Sequence, residues 1–439
     1  MRDRAADLPD ARTAVVTPTG DPALGPGEVR RRFLLLRGLR WLPTGLLIPV
    51  LVLLLLERGL TLGQIGLVTG AQGLVVMLLE LPTGALADAL GRRRVLLAAI
   101  AAEVAAVALL VVADSLAALV VVFALQGVYR ALDSGPLDAW YVDTAQAADP
   151  HADIERGLAH GGVVLGLAIS AGSFASGGLV AIGPVAGVDA LVLPLLASLA
   201  LELVHLTAVA VLMTESRPVR PAAAGRALRS TPAVIGAAIA LVRSSTVLAA
   251  LVAVEVLWGF GMVAFETFTP ARLSEVLQDA DRAAALLGPA GAAAWLLAAA
   301  GAFTAPALAR RLGAARAGAV LRIVQGLTVV GIGLATGPIG LLAAYLATMV
   351  VHGAANPVHQ GMLHRAVLGP SSRATVISAN SLTAQTGGAL GGIALGALAD
   401  AASLTTATLV GAAVLALAAP LYLIAGRATQ PLQPNDHRT

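Results

Sequence analysis

Residues 80–94 read Glu-Leu-Pro-Thr-Gly-Ala-Leu-Ala-Asp-Ala-Leu-Gly-Arg-Arg-Arg. One carboxylate, Asp88, and three arginines, Arg92 to Arg94, follow the small residues that end one long apolar run, and the next run starts at Val95. A hairpin that turns at a membrane face has this order, and its arginines mark the side on which it turns.

The runs on either side belong to a longer series. Hydrophobic residues are 57% of the chain and charged ones 13%, against about 25% charged in a soluble domain, so most of the chain is not built to face water. A helix crossing the hydrocarbon needs about 20 mostly apolar residues. Twelve such runs can be marked, at 33–56, 62–85, 95–113, 116–142, 161–182, 191–213, 247–269, 283–308, 317–335, 339–363, 376–398 and 404–424. The expected fold class is therefore an all-α membrane protein with 12 transmembrane helices.

Arginine placement orients the spans. Outside the spans, only Arg58, Arg272 and Arg282 fall in loops on one side, and the others lie in the tails and loops of the opposite side. The positive-inside rule then puts both the N and C termini in the cytoplasm. The polar segment 1–32 reads as a disordered cytoplasmic tail, and the full-length apolar run behind it does not read as a cleaved signal peptide. The longest internal break, rich in Arg, Pro and Ala, splits the spans six and six. The predicted organisation is a tail at 1–32, a first half at 33–213 and a linker at 214–246. A second half follows at 247–426, with a tail at 427–439. Within the linker, 233–243 reads as an amphipathic segment lying on the inner membrane surface.

Composition also excludes chemistry. The chain has no cysteine, so disulfides, thiolate metal sites and cysteine nucleophiles are out. It has no Walker-type phosphate loop, which excludes ATP-driven transport by this chain alone, and no metal-ligand spacing. No enzyme activity, cofactor or metal is expected. The basic residues are all arginine and the net charge is only +3, which does not argue for nucleic acid. An arginine- and alanine-rich chain without lysine points to a bacterial source and thus to the inner (cytoplasmic) membrane.

The opening stretch has a copy. Residues 84–94, Gly-Ala-Leu-Ala-Asp-Ala-Leu-Gly-Arg-Arg-Arg, align without gaps with residues 306–316, Pro-Ala-Leu-Ala-Arg-Arg-Leu-Gly-Ala-Ala-Arg. Each follows the second span of its half, and the same offset sets Arg130 over His352. Parallel six-helix repeats are one of the two symmetries of secondary transporters.

Twelve spans in two pseudo-repeats, a basic central loop and Gly-x-Leu-Ala-Asp-x-x-Gly-Arg-Arg-Arg after span two resemble the major facilitator superfamily, from about Arg30 to Arg427. The resemblance implies the major facilitator fold and a charged conformational gate made by Asp88, Gly91 and Arg92. It also implies a carboxylate partner from span four, for which Asp143 is nearer the inner face than Asp138. The start of span eleven, Ser371-Ser372-Arg373, would offer helix-end amides to Asp88. The second copy carries Arg310 and Ala314 at the Asp and first Arg positions, so a working cluster is expected in the first half only. The sequence departs from the family's drug/proton antiporters. It lacks their Gly-Pro-x-x-x-Gly-Gly signature in span five, and its span-four Arg follows Gln126-Gly127 instead of preceding it.

Charges inside spans are the remaining candidates, because each is costly unless paired or in water. On span four, Gln126, Arg130 and Asp133 share a face beside the Gly135-Pro136 break, which reads either as a cavity wall or as a self-neutralised pair. Span one adds Arg40 and Trp41, with Arg37 able to snorkel to the surface. Span seven carries Glu255, Trp258, Met262 and Glu266 on one stripe, suited to amphipathic, cationic compounds. Glu255, the deeper of its carboxylates, joins Asp133 and Arg130 as a proton-coupling candidate. Span ten offers His352, Asn356 and His359 on one face, with His359 leaning to a packing role. Glu80 reads as ordering the charged loop, and Glu103, Glu202 and His205 stay unassigned.

The expectation is a monomeric, alternating-access transporter in the lipid bilayer that exports a small amphipathic or drug-like molecule coupled to protons. The alternatives are an uptake symporter for a nutrient or organic anion, and a transport-inactive sensor or scaffold.

Overall fold

A computed structural model describes residues 24–215, 236, 239–367 and 370–428. Twelve helical spans cross it, at Pro26–Glu57, Leu62–Glu80, Arg92–Val112, Leu116–Ala148, Ile154–Ala181, Ala190–Leu212, Thr246–Leu277, Ala280–Leu312, Ala314–Leu334, Pro338–Ala366, Ala379–Ala401 and Leu404–Arg427. The expected tails and most of the linker lie outside the described residues; of the expected amphipathic segment, residues 239–243 are helical. Six of the helices begin where the sequence supplies a capping oxygen. Thr61 forms a capping box with Gln64, and Ser115, Asp153, Ser245, Asp279 and Ser403 each accept from an amide of the first turn. Each such cap is worth about 1 kcal/mol.

The repeat seen in sequence is a repeat in backbone. Gly91 (φ 95°, ψ 138°) and Gly313 (φ 78°, ψ 146°) occupy the same place in the two halves, each capping the third span of its half. That conformation is open to glycine and strained for other residues.

Four spans are discontinuous among the described residues, the twelfth breaking at Ala418. Span one breaks after Leu47 and resumes at Leu51, span four breaks at Gly135 (φ 98°), and span seven breaks at Thr267. Broken helices in a transporter mark where backbone lines a cavity.

The cores show how the halves meet. At the end of the bundle away from the termini, one apolar cluster joins Leu53, Leu54, Val107 and Phe123 of the first half to Leu273, Leu287 and Leu341 of the second. Toward the termini, the clusters around Phe33, Ile100 and Trp140 and around Leu251, Leu363 and Tyr422 each belong to a single half. Glycines permit the close approach at the fused end. A Cβ on Gly66 would stand 2.0 Å from the carbonyl oxygen of Gly392, and one on Gly288 would stand 2.4 Å from the Cα of Gly177. There Asp400 of span eleven also accepts from the amides of Leu62 and Gly63 at 3.0 and 2.9 Å, tying it to the start of span two. Gly177 of span five and Gly392 and Gly396 of span eleven thus lie on inter-half contacts.

Candidate functional site

In the first half the site is organised by Arg40, which is 7% exposed. Its Nε donates to Asp133 Oδ2 at 2.5 Å, and its Nη1 donates to Thr44 at 3.0 Å. The guanidinium lies between the rings of Trp41 (4.3 Å) and Tyr129 (4.5 Å), a cation–π arrangement worth about 2 kcal/mol when desolvated. Asp133 is the last residue of the helix before the Gly135 break. Arg40, Trp41 and Asp133 line a cavity of about 200 Å³ together with Arg37, Asp138 and the break. Arg37 is not merely snorkelling, since it donates to Asp138 at 2.8 Å.

The expected alternative of an Arg130–Asp133 pair does not form, because Asp133 is taken by Arg40. Arg130 is instead exposed at mid-span, within electrostatic reach of Glu80 in its own half and of Glu266 in the other. Glu266, an exposed residue, closes the longer helix of span seven.

The second half holds a cavity of about 220 Å³ lined by Glu255, Trp258, Arg322, His352, Asn356, Gln360, Asn380 and Ser381. The His352 ring stacks on Trp258 with centroids 5.6 Å apart, and Arg322 stands over the same indole at 5.8 Å. His359 is fully buried at the back of this group. Its Nε2 lies 3.0 Å from Glu255 Oε1 and 3.2 Å from Asn380 Oδ1, and its Nδ1 lies 2.9 Å from the Tyr422 hydroxyl. The packing role expected for His359 is thus only part of its surroundings, because its ring is set against the proton candidate. Arg322 and Asn380 carry no motif that marks them; the lone arginine within span nine is the available signal.

Three predicted cavity residues, Gln126, Met262 and Glu266, line neither cavity. Met262 packs against the apolar cluster around Phe265 and Leu415, with its Cε toward Gly388 of span eleven. Gln126 is buried and hydrogen-bonded to Glu103 of span three, because a buried amide takes the nearest polar partner.

At the charged turn, Arg92 Nη1 meets Asp143 Oδ2 at 2.7 Å and also donates to the Ala139 carbonyl. Glu215 supplies a contact that the sequence does not announce. Its two carboxylate oxygens accept from the backbone amides of Arg92 and Arg93, each at 3.0 Å, which seats an anion on the N-terminus of span three. Thr-Glu just after span six carries no motif to flag it. The Asp88 side chain, and the side chains of Ser371, Ser372 and Arg373, lie outside the described residues. Glu80 accepts from Ser381 of span eleven at 3.2 Å and so bridges the halves.

Two half-sites with buried carboxylates and aromatic walls, set in broken helices of a twofold repeat, can bind a small molecule and exchange protons. Known structures share the fold. The nucleoside transporter NupG superposes with a TM-score of 0.73 at 15% identity, over 91% of this chain and 99% of that one. A bacterial homologue of the human lysosomal transporter Spinster, in an inward-facing and occupied conformation, gives 0.73 at 14% identity over 92% and 97%. No curated protein matches the chain in sequence. The sequence model of the Major Facilitator Superfamily matches residues 33–367. With that match over both halves, and with the twelve-span repeat built around the Gly91 and Gly313 turns, the chain is a multi-pass membrane protein of the Major Facilitator Superfamily.

Proposed function

We propose that the protein is a secondary active transporter that exports small amphipathic or drug-like molecules in exchange for protons, as a monomer in a bacterial inner membrane. The observation that carries this reading is the same pairing in both halves of a buried carboxylate with an aromatic wall. Asp133 lines one cavity with Trp41, and Glu255 lines the other with Trp258. Carboxylate and ring together select an amphipathic cation, and a membrane-embedded carboxyl can trade that cation for a proton. Alternating access is supported by cores that fuse at one end of the bundle and stay separate at the other. With the termini in the cytoplasm, this is an inward-open arrangement. Arg92, Asp143, Gly91 and Asp88 then form the gate on the open side, with Glu215 as its anchor.

The test uses inverted membrane vesicles carrying the full chain and an established proton gradient. Ethidium, an amphipathic cation, should collapse the gradient in these vesicles and leave it intact in vesicles lacking the protein. A second reading is favoured by Arg130, which is exposed at mid-span and makes no ion pair among the described residues. It would suit uptake of an organic anion with protons. Benzoate-driven proton entry in the same vesicles, without an ethidium response, would select it.

A further inference from the structure

Spans three and six hold ionisable groups that the two cavities do not use. Glu103 is 6% exposed, Glu202 is 2% and His205 is fully buried. Glu202 Oε2 lies 3.3 Å from His205 Nδ1 one turn along span six. The charged and titratable groups facing Glu103 are Glu202 of span six, Arg40 of span one, and Asp133 and Tyr129 of span four. Glu202 is in turn within electrostatic reach of Arg40. These groups sit on spans one, three, four and six, which pack on one another in the first half, so they make one cluster with the Arg40–Asp133 pair.

The charges in this cluster do not balance. Three carboxyl groups, Asp133, Glu103 and Glu202, face one guanidinium, and Asp133 already neutralises it at 2.5 Å. A protonated His205, 3.3 Å from Glu202, offsets at most one further carboxylate, so ionising both Glu103 and Glu202 would leave a buried charge that bears a desolvation cost with no counter-charge. Glu103 Oε2 and His205 Nε2 are buried without a hydrogen-bond partner among the described residues, so one site for a proton is open on each. A purely structural bolt between spans three and six would not need carboxyls. At the position equivalent to Glu103 in the second half, the repeat carries Gln325, a fully buried amide beside Arg322.

We propose that Glu103, Glu202 and His205 form a second proton-binding site, in one cluster with the Arg40–Asp133 pair in the first six-helix half. The proposal rests on the proton-coupled reading given above and names where the first half stores its proton. While Asp133 is paired with Arg40, Glu103 and Glu202 hold their protons. When Asp133 leaves Arg40, one of the two carboxyls breaks its O–H bond and passes the proton by way of His205 to water. The carboxylate left behind neutralises Arg40 in place of Asp133. Return of Asp133 reverses the exchange, with a proton taken up from water, so Arg40 keeps one carboxylate partner throughout and the cluster loses and regains one proton per cycle.

The purified full-length protein is titrated across the neutral range by infrared difference spectroscopy, which reads the C=O stretch of protonated carboxyls without any substrate. Glu103→Gln and Glu202→Gln, the first with an amide that the repeat already accommodates, are compared with wild type. Each variant should lose part of the titrating C=O band, and the double variant most of it. In proteoliposomes, each should lower proton-driven ethidium flux by about tenfold while ethidium–ethidium exchange stays near wild type. An unchanged C=O band in both single variants overturns the site. Loss of the band in a protein whose wild type moves no protons with any probe keeps the site and overturns the transport reading.

Discussion

Arg40 and Asp133 join the first span to the end of the outer helix of the fourth, Nε to Oδ2 at 2.5 Å, with both side chains largely buried at 8% and 14% exposure. A pair so placed ties the broken part of span four to span one. Its separation would free both helices to move.

The pair makes a prediction that separates stability from function. Asp133→Asn leaves a buried guanidinium uncompensated and should cost about 3–5 kcal/mol, seen as a lower melting temperature in detergent. The double variant Arg40→Met/Asp133→Leu should recover most of that stability and none of the transport. Recovery of transport in the double variant would show that the pair is structural only.

The turn at Gly91 gives a second. Glu215→Ala removes the anion from the start of span three and should destabilise by about 1 kcal/mol. Gly91→Ala should do worse, because its φ is +95° and its new Cβ would meet Glu215 Oε2 at 2.9 Å. Asp88→Asn and Asp143→Asn should leave insertion and expression intact while cutting transport. Membrane abundance on immunoblots against uptake by the same vesicles checks this, and normal transport in both would remove the gate role.

The fused end of the bundle gives a third. Because the chain has no cysteine, the pair Gly63→Cys/Ala397→Cys is a clean probe of the contact where a Gly63 Cβ lies 3.5 Å from the Ala397 Cα. Oxidation should cross-link the two readily and arrest transport, and reduction should restore it. Free transport by the cross-linked protein would contradict the rocking of one half on the other.

Glu255 gives the fourth. With His359 at 3.0 Å and Arg322 lining the same cavity, Glu255→Gln should uncouple proton movement from transport while ethidium binding by thermal shift persists. Normal coupled flux would move the proton site elsewhere.

The twelve spans are legible in apolar run length alone, and the repeat in the shared Ala-Leu-Ala-x-x-Leu-Gly core of the two turns. Both are local properties of the chain. Arg92 with Asp143 is readable because both flank a turn whose direction is fixed. Which charge meets which across separate spans is not local, and no run or spacing carries it. On a helical wheel Asp133 belongs with Arg130, one turn away, yet Arg40 from another span takes it. Gln126 and Met262 are expected at the cavity because they share a stripe with residues that do line it. A stripe is wider than a cavity wall, and neighbouring helices claim its edges. Glu215 and Glu80 act through contacts to backbone or to distant spans, which no spacing rule encodes.

The central claim, proton-coupled export, is tested most directly by measuring both fluxes at once. Purified protein is reconstituted in proteoliposomes containing a pH-sensitive dye, and ethidium movement is followed beside internal pH. The account predicts that ethidium and protons move in opposite directions, and that Asp133→Asn and Glu255→Gln each break the link between them. Ethidium flux with no accompanying proton movement, or with protons moving in the same direction, would contradict it.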